Sequence, residues 1–266
     1  MDNDDASDSI GTVLLDEFQK EPSFTLTILQ RASSKFQPPR SIKLISIPGS
    51  HPTEEHVAAF EGQDVVVNCM TTLSVADQFR MVDAAIAAGV RRYVPSEYGL
   101  DNTKPEAQAL NVVFHDKGKV QEYIRSKAAD GAIEWMSIAC GIWLEWGMAH
   151  DFIGNTRYFS YTTEENTAVG LIKALKKPQE TKNTNVFLSD FAITQKQLLA
   201  DAFIGEKQEA VRGGDQFATF ALIETGFTTG RFGGHLEKEP GVIWNEKLGL
   251  PKHALDEVVA DALGSL

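Results

Sequence analysis

Thr71, Thr72, Ser96, Glu97 and Tyr98 are residues whose types and positions could do chemistry together. Hydroxyls, a carboxylate and a phenol can hold a phosphate or a carbonyl, or pass a proton, once a fold brings them to one place. The segment from Asp64 to Gly99 predicts such a fold. Val65, Val66 and Val67 form a β-branched run too short for a helix, and they lead into Thr71, Thr72 and Ser74. Ser74 and Asp77 have the spacing of a capping box, and Val75, Phe79, Val82 and Ile86 then recur at helical spacing until Gly89. A second strand, Arg92 to Pro95, runs straight into Ser96. A crossover of this length joins parallel strands, and ligands of open parallel sheets sit beyond the carboxyl ends of the strands. The five residues are expected along one crevice.

Other side chains belong near that crevice. Lys117 is predicted to open a helix that runs to Ala129 through Val120, Tyr123, Ile124 and Ala128. A first-turn lysine opposes the helix dipole, so helix stability does not explain it; a solvated surface lysine is the competing reading. Arg31 ends a predicted strand, with Ser33, Ser34 and Lys35 just after it, and its guanidinium fork suits a phosphate. The alternative is an exposed loop arginine. His115 and Asp116 are adjacent and must point different ways, no Gly-x-Ser-x-Gly elbow accompanies them, and the histidines lack metal-ligand spacing. No metal is expected.

The elements that must position these residues alternate. Thr25 to Gln30 and Ile42 to Ile47 read as strands, Thr53 caps a short helix ending near Gly62, and Trp135 to Ala139 reads as another strand. Strand and helix alternating over this length predict an α/β fold with a doubly wound parallel sheet. Beyond Cys140 the pattern becomes mostly helical, with a helix at Glu164 to Lys176, a strand at Asn185 to Leu188 and a helix from Thr194. A soft boundary falls near Asp151, dividing the chain into 1–150 and a smaller part, 151–266.

The amino end is unusual for a nucleotide-binding turn. Gly11 opens a helix to Phe18, and Ala6 to Gly11 has the look of a glycine-rich turn feeding it; an ordinary helix-start glycine is the alternative. A turn of the G-x-x-G-x-x-G type needs its early glycines so that the backbone can approach a pyrophosphate. Asp5 and Asp8 stand at those positions, and their charge opposes a phosphate. Only Met1 to Asp4 precede the turn, so the first strand of such a sheet is expected to be missing.

Composition narrows the classes. Apolar residues make up 42% and charged residues 23% of 266 residues, as in an ordinary globule, and no apolar run approaches the ~20 residues that span a bilayer. The acidic start MDNDDASDS is no signal peptide, so a cytoplasmic protein away from the membrane is expected. Cys69 and Cys140 fall in or after interior strands and read as buried thiols. A net charge of −12 opposes nucleic acid, and the basic spots, Arg91-Arg92 and Lys173, Lys176 and Lys177, are too scattered to track a groove.

With PSEYG at 95–99, FHDKGKV at 114–120 and GIWLEWG at 141–147 in order, the chain resembles the isoflavone reductase-like and NmrA-like families of atypical short-chain dehydrogenases. That resemblance implies a Rossmann-like fold in 1–150 that binds NADPH, with 151–266 capping a substrate pocket. It places the nicotinamide beside Ser96, Glu97 and Tyr98, with Thr71 and Thr72 on the facing strand and Gly11 in the phosphate turn. It makes Lys117 the catalytic residue, Arg31 with Ser33 and Lys35 the binders of the 2′-phosphate, and Ile142, Trp143 and Trp146 the pocket wall. Tyr123 and Lys127 imitate the Tyr-x-x-x-Lys pair of the conventional enzymes, yet Tyr123 lies on the helix's apolar stripe. Relatives carry a further strand-containing stretch where only NTRY joins Gly154 to Phe159 here. The implied function is NADPH-dependent reduction of a small aromatic or conjugated molecule. The alternatives are an NAD(P)-sensing regulator that works in the nucleus through a protein partner without turnover, or a shortened inactive relative.

Overall fold

The computed structural model of the chain describes residues 10–48, 53–70, 72–149, 159–193, 200–215, 217–228, 236, 242–255, 257 and 258. Helix α1 (Ile10–Gln19) turns Ile10, Leu14 and Phe18 inward at the i, i+4 spacing of one helix face. Strands β1 (Thr27–Arg31) and β2 (Lys43–Ile47) pair in parallel, and α2 (Thr53–Phe60) carries Glu54 and Glu55 in its first turn, where the dipole favours them. Then come β3 (Val65–Val67), a tight 3-10 turn at Thr72–Asp77, α3 (Gln78–Ala87) and β4 (Arg92–Val94). The chain continues through α4 (Pro105–Gln108), α5 (Val112–Ala129), β5 (Glu134–Ala139), β6 (Ile142–Trp143) and α6 (Leu144–Ala149). The remaining described elements are β7 (Phe159–Thr162), α7 (Glu164–Leu175), β8 (Thr184–Phe187), β9 (Phe191–Ile193), α8 (Ala200–Arg212), α9 (Phe217–Thr228) and α10 (Asn245–Leu248).

Four strands form the main parallel sheet in the order β3-β4-β5-β8, and its pleat sorts side chains onto two faces. Val65, Val67, Val94, Met136 and Ile138 pack with α1 and α7 on one face; Val66, Tyr93 and Trp135 pack with α2, α3 and α5 on the other. Helices cover both sides, as the doubly wound expectation requires. A small sheet, β6-β7-β9, pairs β6 with β7 in parallel and β7 with β9 antiparallel.

The main sheet is divided from the β1-β2 pair. In a doubly wound sheet of strand order 3-2-1-4-5-6, the first strand stands between the second and the fourth. Among the described residues no strand fills that place, and no ladder joins β1 to β3. The cost is visible in burial. All of β3 and most of β1 are only half-buried despite their apolar sequence, whereas β4, flanked on both sides, is buried throughout.

Several expectations need correction. The Ser74–Asp77 capping box does not form: Ser74 lies at a kink in the 3-10 turn, and α3 starts at Gln78 without a side-chain cap. Helix α5 begins at Val112, because the Asn111 side chain accepts the N–H of Phe114 and caps it there, so Lys117 lies in the second turn and not the first. Beyond residue 150, β8 pairs with β5 and α7 packs on α1, so the carboxyl-terminal part contributes to the main sheet and its covering layer. Arg92 is no surface cation: it is 1% exposed and donates to Glu134 and Pro178 O at 2.7 Å and to Thr181 at 3.0 Å. Asp5, Asp8, Thr71, the NTRY junction and the helix start at Thr194 lie outside the described residues.

Candidate active site

The carboxyl ends of β3 and β4 are tied together by side chains. Asn68 Nδ2 donates to the Tyr93 hydroxyl at 2.8 Å, and its Oδ1 accepts the N–H of Met70 at 2.8 Å. Ser96 Oγ donates to the carbonyl oxygen of Met70 at 2.8 Å, and Gln78 Oε1 accepts the N–H of Ser96 at 2.9 Å. The turn that follows holds Tyr98 at φ 37°, a conformation that a bulky residue adopts only under constraint. The Tyr98 ring is buried beside Cys69, and burial drives its hydroxyl well above the usual phenol range.

Three separate segments meet at this turn. From α5, Lys117 Nζ donates to the carbonyl oxygen of Glu97 at 2.8 Å. From the end of β5, the N–H groups of Cys140 and Gly141 both donate to the carbonyl oxygen of Gly99 at 3.1 Å. Gly141 is required: it has φ 69°, and a Cβ there would come within 1.9 Å of the Ser160 carbonyl oxygen. Lys117 is only 7% exposed. Burial pushes its ammonium below the ordinary lysine value, against the pull of Glu97 and Cys140. Glu97 is 2% exposed, and burial lifts its carboxyl to about 7, against the pull of Lys117, Asn102 and Gln121. Cys69 and Cys140 form no disulfide, and burial raises their thiols to about 11 and about 12.

The sequence-predicted residues divide into groups. Ser96, Glu97, Tyr98 and Lys117 are together, but they are not an open row of contacts. Ser96 spends its hydroxyl on Met70, Tyr98 is packed away, and the Glu97 carboxylate accepts from Asn102 Nδ2 at 2.7 Å, so these side chains build the wall behind the turn. Thr72 belongs to the 3-10 turn, which packs against α5. Ile142 is buried in a core with Leu144 and Tyr161; Trp143 packs on the main core near Cys140, and Trp146 is half-buried. Tyr123 donates to Asp83 at 2.5 Å, stacks edge-on with Phe79 and lies under Lys127, which is a structural role. His115 and Asp116 touch only across the surface of α5.

Arg31, Ser33 and Lys35 are exposed at and just beyond the carboxyl end of β1. A guanidinium, a hydroxyl and an ammonium form a donor set for a phosphate monoester, the feature that separates NADPH from NADH. Gly11 lies in the first turn of α1, which contains no acidic residue. Both observations fit a dinucleotide. Among the described residues no group of three or more His, Cys, Asp or Glu could hold a metal, and no helix is long and apolar enough to cross a membrane. A hollow of about 300 Å³ lined by Leu110, Asn111, Gln208, Val211, Arg212 and Leu222 contains none of the expected site residues.

Gln78, Asn102 and Gln121 were not singled out from the sequence. Gln121 follows Lys117 by one helical turn and so shares its face, which was a usable signal. Gln78 and Asn102 gave none, because their partners come from elsewhere in the chain.

Residues 31–141 match the NmrA-like family. Among curated proteins, the oxidoreductase aprR of Aspergillus flavus is 30% identical over 290 residues, covering 97% of this chain and 96% of that one. That alignment has more positions than this chain has residues, so the relative contains residues that have no counterpart in this chain. Among solved structures, an isoflavone reductase superposes with a TM-score of 0.71 over 95% of both chains at 18% identity. A structure from work on pinoresinol-lariciresinol and phenylcoumaran benzylic ether reductases does so at 0.72, over 95% of both chains and 17% identity. These structural likenesses concern the fold.

Proposed function

The chain belongs to the NmrA-like family, and we propose that it is an NADPH-dependent reductase of a small aromatic or conjugated substrate. One observation carries this reading: PSEYG, FHDKGKV and GIWLEWG, distant in sequence, meet through the carbonyl oxygens of Glu97 and Gly99. They make a single rigid corner at the strand ends, with a buried lysine in it.

Arg31, Ser33 and Lys35 would hold the 2′-phosphate of NADPH, and Gly11, in the first turn of α1, would lie beside the pyrophosphate. When bound, the cofactor supplies a hydride. Lys117 holds a proton at Nζ. One of its three donors is spent on Glu97 O, and the others would polarise or protonate an acceptor oxygen. Burial lowers the proton affinity of that ammonium, which makes it the stronger acid. Ser96, Gln78 and Asn68 keep the corner in shape, and Trp143 and Trp146, both half-buried, would present ring edges to an aromatic substrate.

The test is loss of NADPH absorbance across a panel of aldehydes, enones and phenylpropanoids. The wild type should oxidise NADPH with at least one of them, and Lys117→Met should bind cofactor yet turn over none. Cofactor binding without oxidation by the wild type anywhere in the panel would favour the sensing regulator, and no binding at all would end both readings.

A further inference from the structure

Glu97 is an expensive residue at its position. Its carboxylate is buried with Asn102, Lys117 and Gln121, all under a tenth exposed. Asn102 Nδ2 donates to Oε2 at 2.7 Å, and Gln108 Nε2 holds the Asn102 carbonyl oxygen at 2.9 Å. Oε1 is sealed from solvent and has no well-formed hydrogen bond. Burying a carboxylate destabilises a fold, and an amide or an apolar side chain would be cheaper to bury. The residue after it, Tyr98, is held at positive φ, so strain is maintained at the same turn. Stability explains neither feature. The buried carboxylate belongs to the residue whose carbonyl oxygen receives Lys117 Nζ, and the strained Tyr98 follows it directly.

We infer that Glu97 is a positioning residue for Lys117: its carbonyl oxygen fixes the ammonium in place, and its carboxylate, buried in the same cluster, favours the charged form of that nitrogen. The purpose rests on the reductase reading, but the electrostatic claim does not. The groups that act on Lys117 are Glu97, from the turn after β4, and the Cys140 thiol, from the end of β5. Cys140, raised to about 12, is neutral near physiological pH. Glu97 itself faces Lys117 and Gln121 from α5 and Asp101 and Asn102 from its own loop. Glu97 is therefore the neighbour whose charge can set the lysine's protonation.

The direct measurement is an NMR titration of Lys117 Cε in isotope-labelled protein, assigned by its loss in Lys117→Met. Glu97→Gln should lower the Lys117 midpoint by about one pH unit or more. Glu97→Asp should restore part of the shift, and the alkaline limb of any turnover should move down by the same amount. A purely structural role predicts an unmoved midpoint and activity reduced evenly at every pH; that result overturns the inference. Should Glu97→Gln fail to fold, the wild type still decides. Its Lys117 Cε signal must show a second step at the pH where the Glu97 carboxyl titrates, and a single step refutes the coupling. Failure of the reductase reading would appear separately, as a protein that oxidises no NADPH while these titrations stand.

Discussion

Gln78 Oε1 accepts the backbone N–H of Ser96 at 2.9 Å, so the first residue of α3 closes the turn at the end of the neighbouring strand. Both residues are buried, and the bond replaces a strand ladder that has already ended. Gln78→Leu would orphan that N–H. The expected loss is about 1–3 kcal/mol of stability, read from the denaturation midpoint, with slower turnover because Ser96 and Lys117 share the turn.

Arg92 makes a stronger claim on stability than any exposed ion pair. It joins β4 to Glu134 of β5 and to Pro178 and Thr181 after α7, with almost no exposure. Arg92→Ala should cost about 3 kcal/mol, near the lower end for breaking a buried pair, because Lys182 still neutralises Glu134 at 3.0 Å. Lys119→Ala, which removes an exposed pair with Glu122, should change the same midpoint negligibly.

The divided sheet predicts an alternating pattern of amide exchange. The N–H of Asn68 donates to Val94 O and that of Arg92 donates to Asp64 O, so by strand alternation Val66 also turns its N–H toward β4. Val65 and Val67 then turn theirs toward the edge where no ladder forms among the described residues. Val66 should be protected and Val65 and Val67 exchange rapidly. Equal protection of all three would mean that another strand covers that edge.

Burial of Glu97 gives stability a definite pH slope. Its folded value of about 7 lies above the ordinary 4.5, so the folded state binds the proton more tightly. The contribution is fully present below pH 4.5 and is lost as pH rises toward 7. Denaturant titrations over that window should show a declining Glu97-dependent part of stability, which Glu97→Gln flattens. A slope identical in the variant would refute the assignment.

Much of the fold was legible because it rests on local pattern. The valine run of β3, the alternation in β1 and β2 and the i, i+4 face of α1 each specify an element from neighbouring residues alone. The start of α5 falls five residues before the expected Lys117, because the Asn111 side chain caps the helix at Val112. The site was half legible. Residue types and order brought Ser96, Glu97 and Lys117 to one place, but not which atoms meet. That Lys117 bonds a carbonyl, and that the Glu97 carboxylate is sealed in by Asn102, depends on packing from distant segments, which no spacing rule encodes.

The most direct measurement of the central claim is a titration of tryptophan-to-NADPH energy transfer. Saturable transfer is predicted for the wild type, with NADPH bound more tightly than NADH. Arg31→Ala should weaken NADPH about tenfold, ~1.4 kcal/mol, and leave NADH unchanged. No saturable transfer at millimolar NADPH, or an Arg31→Ala protein that binds NADPH as the wild type does, would contradict the account.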